Sequence, residues 1–222
     1  MNINEWCAIQ YKSDPPQSPF APTWDYTIGE KQIDIDCDQL KNIILEKERE
    51  IKEKFPASSD GNTGLGPDSL TSRFRHFNVL SWGYEVTDQL REEIKKFHKQ
   101  YYRSLFGTFA TPPKLNIRCW ANVLRKGERI KQHWHSIHPH TYLGGHLTVT
   151  ATDTKTIYVH PYDDVGRKYE AENVPGKLTL FPNYLPHYTT VNQYDSPRIT
   201  IAFDLTSLTS IFTDDDNTLI PL

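Results

Sequence analysis

The second half of the chain constrains the fold most. From about residue 114 the hydrophobic pattern takes a period of two. Alternating stretches occur at 115–124 (LNIRCWANVL), 142–150, 155–160, 177–181, 187–193 and 198–205. Turn material separates them, such as Lys126-Gly127, Asp163-Asp164-Val165-Gly166 and the run 192–197 (NQYDSP). Short strands at roughly ten-residue spacing bury their apolar faces by folding into a sandwich or a closed barrel. The 15 Pro, 11 Gly and single Met, with 12% aromatic residues, suit a strand-and-turn protein better than a helical bundle.

The first half reads differently. Residues 1–37 mix turn signals (Asp14-Pro15-Pro16, Ser18-Pro19, Ala21-Pro22) with short apolar pieces, and suggest an extended arm packed on the domain. Residues 38–55 predict a helix, with Asp38 as its N-cap and Leu40, Ile43, Ile44, Ile51 and Phe55 near helical spacing. Pro56 stops it. A loop with three Gly in six positions follows (Gly61, Gly64, Gly66), and 74–82 looks extended. A second helix is expected from a Thr87 N-cap to Phe106, with Leu90, Ile94, Phe97, Tyr101 and Leu105 as its stripe and Gly107 at its end. We read one domain over 1–222: an arm and supporting helices over 1–113, and a β core over 114–222.

Several functional classes are excluded. Net charge is −3, and residues 1–110 carry 14 Lys/Arg against 17 Asp/Glu while 111–222 carry 11 against 11, so neither half is a basic pole for nucleic acid. No apolar run approaches the ~20 residues needed to span a bilayer. The N-terminus has neither the basic start nor the apolar stretch of a secretory signal. Cys7, Cys37 and Cys119 are odd in number and widely spaced, which suggests free thiols in a reducing compartment, the cytoplasm. A homodimer is left open.

Histidine carries the chemical signal, since seven of the nine lie between 133 and 187. In a strand, His133 and His135 would project from one face, and two converging imidazoles suit a divalent metal. Gly176 allows a sharp turn, 178–181 make a short strand, Pro182 ends it, and His187 begins the next strand as a distal third imidazole. Arg198 and Thr200 share a face of the last strand, and an Arg fork with a hydroxyl is a receptor for a carboxylate. Trp120, Trp134 and Tyr142 are candidates for the walls of a pocket, or for ordinary core.

Together these stretches resemble the Fe(II)- and 2-oxoglutarate-dependent oxygenases, and are most similar to a group common in marine bacteria and their phages. The matching pieces are 120–127 (WANVLRKG), His133-Trp-His135, 176–187 (GKLTLFPNYLPH), 197–204 (PRITIAFD) and the loop 63–73 (TGLGPDSLTSR), spanning about residues 60–205. The resemblance implies a mainly β fold with N-terminal helices: a double-stranded β-helix, jelly-roll and cupin-like. It implies Fe(II), 2-oxoglutarate as cosubstrate and O2, with release of succinate and CO2 and hydroxylation of a C–H bond. His133 matches the first iron ligand, His187 the distal ligand, Arg198 the group that binds the far carboxylate of 2-oxoglutarate, and Thr200 its hydroxyl partner. Asn122 is a second candidate contact to the cosubstrate.

One position departs from the usual facial triad. Two residues after the first His, where a carboxylate is customary, this chain has His135. That suggests a three-histidine facial set, with His138 and His140 as further candidates near metal or substrate. Halogenation is disfavoured, because His135 fills the room that halogenases of this class leave for chloride. Two competing readings remain: a cupin-type metalloenzyme without 2-oxoglutarate, and a non-catalytic jelly-roll module. A buried Arg198 would favour the oxygenase over the cupin. The substrate stays open between an amino acid, another small metabolite, a peptidyl side chain and a nucleobase, with the neutral charge balance arguing against the last.

Overall fold

A computed structural model of the protein describes residues 5–57, 59–137, 141–151, 153–161, 166–207 and 218–222. Seven strands form one sheet and three form another. The large sheet has the order β1 (Trp6–Tyr11), β2 (Tyr26–Gln32), β7 (Lys177–Pro182), β4 (Leu143–Thr150), β9 (Arg198–Ser207), β3 (Leu115–Leu124), β10 (Ile220–Pro221). The small sheet has the order β6 (Lys168–Glu172), β5 (Lys155–Val159), β8 (His187–Thr189). All the pairings are antiparallel. This is the expected double-stranded β-helix.

The alternation of the sequence decides which residue faces which layer. On β9, Ile199, Ile201, Phe203 and Leu205 belong to the main apolar core. Arg198, Thr200, Ala202 and Asp204 point the other way and line a cavity between the sheets. On β3, Ile117, Cys119, Ala121 and Val123 join the core, while Arg118, Trp120 and Asn122 line the cavity. Because the side-chain period is two, a slip of one residue would exchange these sets, so burial of one face fixes the register. The register pairs Asn122 with Thr200, Trp120 with Ala202 and Arg118 with Asp204.

Two helices, α1 (Cys37–Lys54) and α2 (Glu85–Phe106), cover the core face of the large sheet. Leu40, Ile44, Leu90, Ile94 and Phe97 are wholly buried there, each worth roughly 1.5–3 kcal/mol by apolar burial. Their caps differ from expectation. The Asp36 carboxylate, rather than Asp38, accepts the Gln39 N–H at 2.8 Å. Helix α2 begins before Thr87, whose hydroxyl donates back to the Tyr84 carbonyl at 2.7 Å from inside the first turn.

Three other expectations change. Residues 74–82 are not extended; short 3-10 turns occur at Thr71–Arg73 and Val79–Ser81. Side chains replace the sheet partners there. Buried Arg73 gathers the carbonyls of Phe55, Pro67 and Ser69, and Asn78 caps the second turn through Leu80 N–H while reaching Ile117 and Thr218 carbonyls. The N-terminal arm is built into the sheet, since β2 pairs with β7 and β1 with β2. The expected strand at 187–193 is confined to His187–Thr189, and β6 lies where alternation was too weak to single it out. None of the described helices is long and apolar enough to cross a membrane.

Candidate active site

His133 and His135 lie on an irregular segment, not in a named strand. That segment is nevertheless locked to β8. His133 and His187 exchange both backbone hydrogen bonds, at 3.0 and 2.9 Å, as an isolated antiparallel bridge. Ile130 N–H donates to Thr189 Oγ1 at 3.0 Å, and Thr189 N–H donates to the Ile130 carbonyl at 3.1 Å. His135 N–H donates to the Asn183 carbonyl at 2.9 Å, and Lys131 N–H to the Thr63 carbonyl at 2.7 Å. The segment is thus tied to both sheets and to the Gly-rich loop.

The three rings gather at one point. Centroids are 4.4 Å apart for His133 and His187, 5.1 Å for His135 and His187, and 5.4 Å for His133 and His135. Their candidate ligand nitrogens all lie within 4.8 Å of one another.

Each ring also has a defined tautomer. Nδ1 of His133 is 2.9 Å from the Lys131 carbonyl, and Nδ1 of His187 is 2.9 Å from the Leu185 carbonyl. Nδ1 of His135 is 2.6 Å from Asp204 Oδ1. All three partners are oxygens that only accept, so each Nδ1 carries the proton and Nε2 keeps its lone pair. This is the arrangement in which imidazoles ligate a metal.

Electrostatics keeps two of the rings neutral, and sets the third against its carboxylate partner. Burial pushes His133 down to about 4, and the neighbouring His135 adds to the effect. Burial and both neighbouring rings push His187 well below the ordinary histidine value. For His135, burial works against the charged ring, but the charge and hydrogen bond of Asp204 outweigh it and hold the ring above its ordinary value.

Arg198 occupies the other end of the cavity and is 1% exposed. Nη2 donates to Thr156 Oγ1 of β5 at 3.3 Å, while Nε and Nη1 have no partner among the described residues. The Thr148 hydroxyl, one strand away, is also buried and unpartnered. Desolvation lowers Arg198 to about 10, with Tyr158 opposing the shift, so it stays a cation at neutral pH. A buried guanidinium with two idle donors is costly on its own and fits an anionic ligand.

The other expected residues fall as follows. Thr200 is buried on the cavity wall, and Asn122 Nδ2 lies 3.4 Å from its Oγ1. Asn122 Oδ1 accepts from Thr71 at 2.7 Å, so its amide joins the Gly-rich loop to β9. Trp120 lines the cavity with its ring 5.7 Å from His135, and half-exposed Trp134 stands at the mouth. Tyr142 lies outside this cavity; its hydroxyl pairs with His98 Nε2 at 2.8 Å, beside a second cleft lined by Tyr101 and Tyr102. His138 and His140 lie outside the described residues.

Three contributors escaped the sequence reading. Asp204 was legible in principle, because it shares the parity of Arg198 and Thr200 on β9. Thr156 comes from the opposite sheet and His146 from β4; neither stands in a motif. Burial lowers His146 to about 3, and Arg198 adds to the effect. It therefore lines the cavity as a neutral ring.

The residues fit the expected groups: three converging imidazoles for a divalent iron, one of them backed by a carboxylate, and an orphaned guanidinium for a dicarboxylate. The comparisons with known proteins agree. A family model described as "Putative 2OG-Fe(II) oxygenase" matches residues 118–204. No curated protein matches the sequence significantly. Among solved structures, the fold is similar to AviO1 from Streptomyces viridochromogenes Tue57 at 12% identity (82% of this chain, 90% of that one, TM-score 0.57). It is also similar to the non-heme monooxygenase ThoJ in its nickel complex, at 14% identity (78% and 69%, TM-score 0.53). A third is a Pseudomonas putida prolyl-4-hydroxylase, at 12% identity (81% and 87%, TM-score 0.50). The burial of Arg198 separates this site from a cupin without 2-oxoglutarate, and the segment matched by the family model holds all three histidines and Arg198. The family-model match thus covers the site-bearing segment 118–204, and the solved structures share the fold.

Proposed function

We propose that His133, His135 and His187 hold Fe(II) as a three-imidazole face, and that Arg198, with Thr156 and Thr200 beside it, binds the far carboxylate of 2-oxoglutarate. The enzyme then hydroxylates a C–H bond of a small-molecule or peptidyl substrate and releases succinate and CO2. The observation that carries this reading is the pairing of three Nδ1-anchored imidazoles with a buried, half-idle guanidinium along one cavity.

When bound, iron with 2-oxoglutarate supplies the O2-dependent chemistry: decarboxylation of the keto acid coupled to oxidation of a C–H bond. The chain's own contribution is placement. Lys131, Leu185 and Asp204 keep the protons on Nδ1, so the three Nε2 lone pairs stay available. Arg198 offers a planar fork that sets the direction of the diacid. Phe181 and Trp120 wall the histidines and exclude water. Neutral His146 adds a polar group to the lining without a second positive charge near Arg198. The cavity volume, about 280 Å³, sits at the low end of the ~300–1,000 Å³ usual for small-ligand sites, which favours a compact substrate or one side chain of a larger one. Three free cysteines suit a reducing compartment, and we place the enzyme in the cytoplasm.

The test is anaerobic addition of Fe(II) and 2-oxoglutarate, followed by succinate release across a metabolite panel in air. The wild type is expected to develop the weak visible band of an iron-chelated keto acid. Arg198→Ala should lose that band while still binding iron. A band unchanged in Arg198→Ala would show the anchor to be misassigned.

A further inference from the structure

We propose that His146, on β4, donates a ring N–H to the carboxylate at the iron end of 2-oxoglutarate, so that the chain grips the cosubstrate at both ends, with Arg198 on the far carboxylate. The proposal rests on the reading of Arg198 as the 2-oxoglutarate anchor and adds a second contact to it.

The strand register places His146 between the histidine cluster and Arg198. β4 and β9 pair with Gly144 opposite Asp204, His146 opposite Ala202 and Thr148 opposite Thr200. Successive rungs on one face of a sheet are about 7 Å apart. His135 stands over the first rung. Its Nδ1 lies 2.6 Å from Asp204 Oδ1, and a Cβ on Gly144 would lie 3.3 Å from the same nitrogen. His146 is on the next rung, and Arg198 opens β9 beyond Thr200. A diacid reaching from the three histidines toward Arg198 crosses the His146 rung. The strand neighbour there is Ala202, whose methyl group leaves room over the imidazole, and both residues line the cavity.

The His146 ring has no other task within the fold. It is 8% exposed, and among the described residues it makes no hydrogen bond. Its ring contact is Phe181, with centroids 6.2 Å apart. The other three cavity histidines each place Nδ1 against an oxygen. His146 is not one of the rings whose nitrogens meet within 4.8 Å, so it is no fourth member of the metal set. Buried polar groups are normally paired, and an unpaired one costs stability. A leucine would fill the same space without that cost. The ring is neutral, so one nitrogen carries a proton to donate. A carboxylate supplies the acceptor that the protein withholds. The Thr148 hydroxyl on the next rung is also buried and unpartnered, so the idle polar groups run from His146 toward Arg198.

The test uses purified full-length protein loaded with redox-inert Ni(II). Two ligands are titrated by calorimetry: N-oxalylglycine, an inert isostere of 2-oxoglutarate, and 2-oxobutyrate, which has the keto-acid end and no far carboxylate. His146→Leu is expected to weaken both ligands about tenfold, the loss of one hydrogen bond to a charged group. Ni(II) affinity should stay unchanged, and the urea midpoint of the metal-free variant should equal or exceed that of the wild type. His146→Gln, which keeps an N–H donor, should recover part of the ligand affinity. Unchanged N-oxalylglycine binding in His146→Leu overturns the proposal. So does a loss confined to N-oxalylglycine, which would put His146 at the far carboxylate. A fall in urea midpoint and Ni(II) affinity alongside the ligand loss would show that the ring only supports the fold, against the proposal. Arg198→Ala separates this from the anchor reading, since it should weaken N-oxalylglycine and leave 2-oxobutyrate unchanged. Unaltered N-oxalylglycine binding in Arg198→Ala would overturn the anchor, while a loss of 2-oxobutyrate in His146→Leu would still support the contact at the iron end.

Discussion

Asp204 accepts the Nδ1–H of His135 at 2.6 Å, which places a carboxylate directly behind the imidazole that stands where a facial triad usually has a carboxylate ligand. The negative charge is kept but moved one bond network outward. Such a partner fixes ring orientation and raises ligand basicity, and its loss typically costs 10–100-fold in metal affinity. Asp204→Asn is expected to weaken Ni(II) or Co(II) binding to the apoprotein by about that factor, read by calorimetry. Arg198→Ala should leave the same constant unchanged. An Asn variant that binds metal as tightly as wild type would show that the carboxylate contributes only packing.

Thr156 of the small sheet is hydrogen-bonded to the proposed anchor. Its hydroxyl donates to Asn173 Oδ1 at 3.0 Å and accepts from Arg198 at 3.3 Å. Thr156→Val keeps the shape and removes both bonds. We expect a loss of about 1–3 kcal/mol in stability, measured by urea unfolding, and a KM for 2-oxoglutarate raised several-fold with kcat little changed at saturation. An unaltered KM would mean that Arg198 orients without Thr156.

Gly144 and Gly145 let β4 pass close behind the site. A methyl group on Gly145 would meet the Phe203 ring and the Thr179 carbonyl oxygen well inside contact distance. Backbone cannot yield as a flexible side chain does, so Gly145→Ala should cost about 1–3 kcal/mol or more by overpacking, seen as a lowered urea midpoint. A methyl on Gly144 would strike Asn183 Oδ1 and lie 3.3 Å from His135 Nδ1. Gly144→Ala is therefore expected to weaken metal binding out of proportion to its effect on stability.

Buried neutral histidines make the apoprotein acid-sensitive. Burial lowers His98 to about 4 and His146 to about 3, both below the ordinary 6.5. The unfolded chain therefore takes up protons at a pH where the folded chain does not. Stability is full above about pH 6.5 and falls as pH drops toward 4, by up to about 1.4 kcal/mol per pH unit for each such group. Urea unfolding at stepped pH should show this slope, and His98→Gln, which still offers Tyr142 a hydrogen-bond partner, should reduce it by one proton's worth. A slope unchanged in His98→Gln would mean that His98 is protonated in the folded state.

The architecture was legible because a half-buried strand writes its two faces into alternate residues. β3, β4, β7 and β9 follow the alternating stretches closely, and α1 and α2 follow their apolar stripes. The 71–81 segment, β6 and the incorporation of the arm as β1 and β2 were not legible. Their backbone partners are a buried arginine, an asparagine or a distant strand edge, none of which leaves a local period.

Residue types and spacing were enough to name the proposed donors, three histidines with Arg198 and Thr200, and the alternation that turns even-numbered β9 residues toward the cavity. What surrounds each of those side chains emerges only when the sheets are assembled. Assembly brings the Lys131 and Leu185 carbonyls and the Asp204 carboxylate to the three Nδ1 atoms, and sets Thr156 against Arg198 from the other sheet. Strand periodicity tells each residue which face it occupies. Which residues then meet across a cavity depends on how two sheets close on each other, and that distance is not encoded in any local spacing.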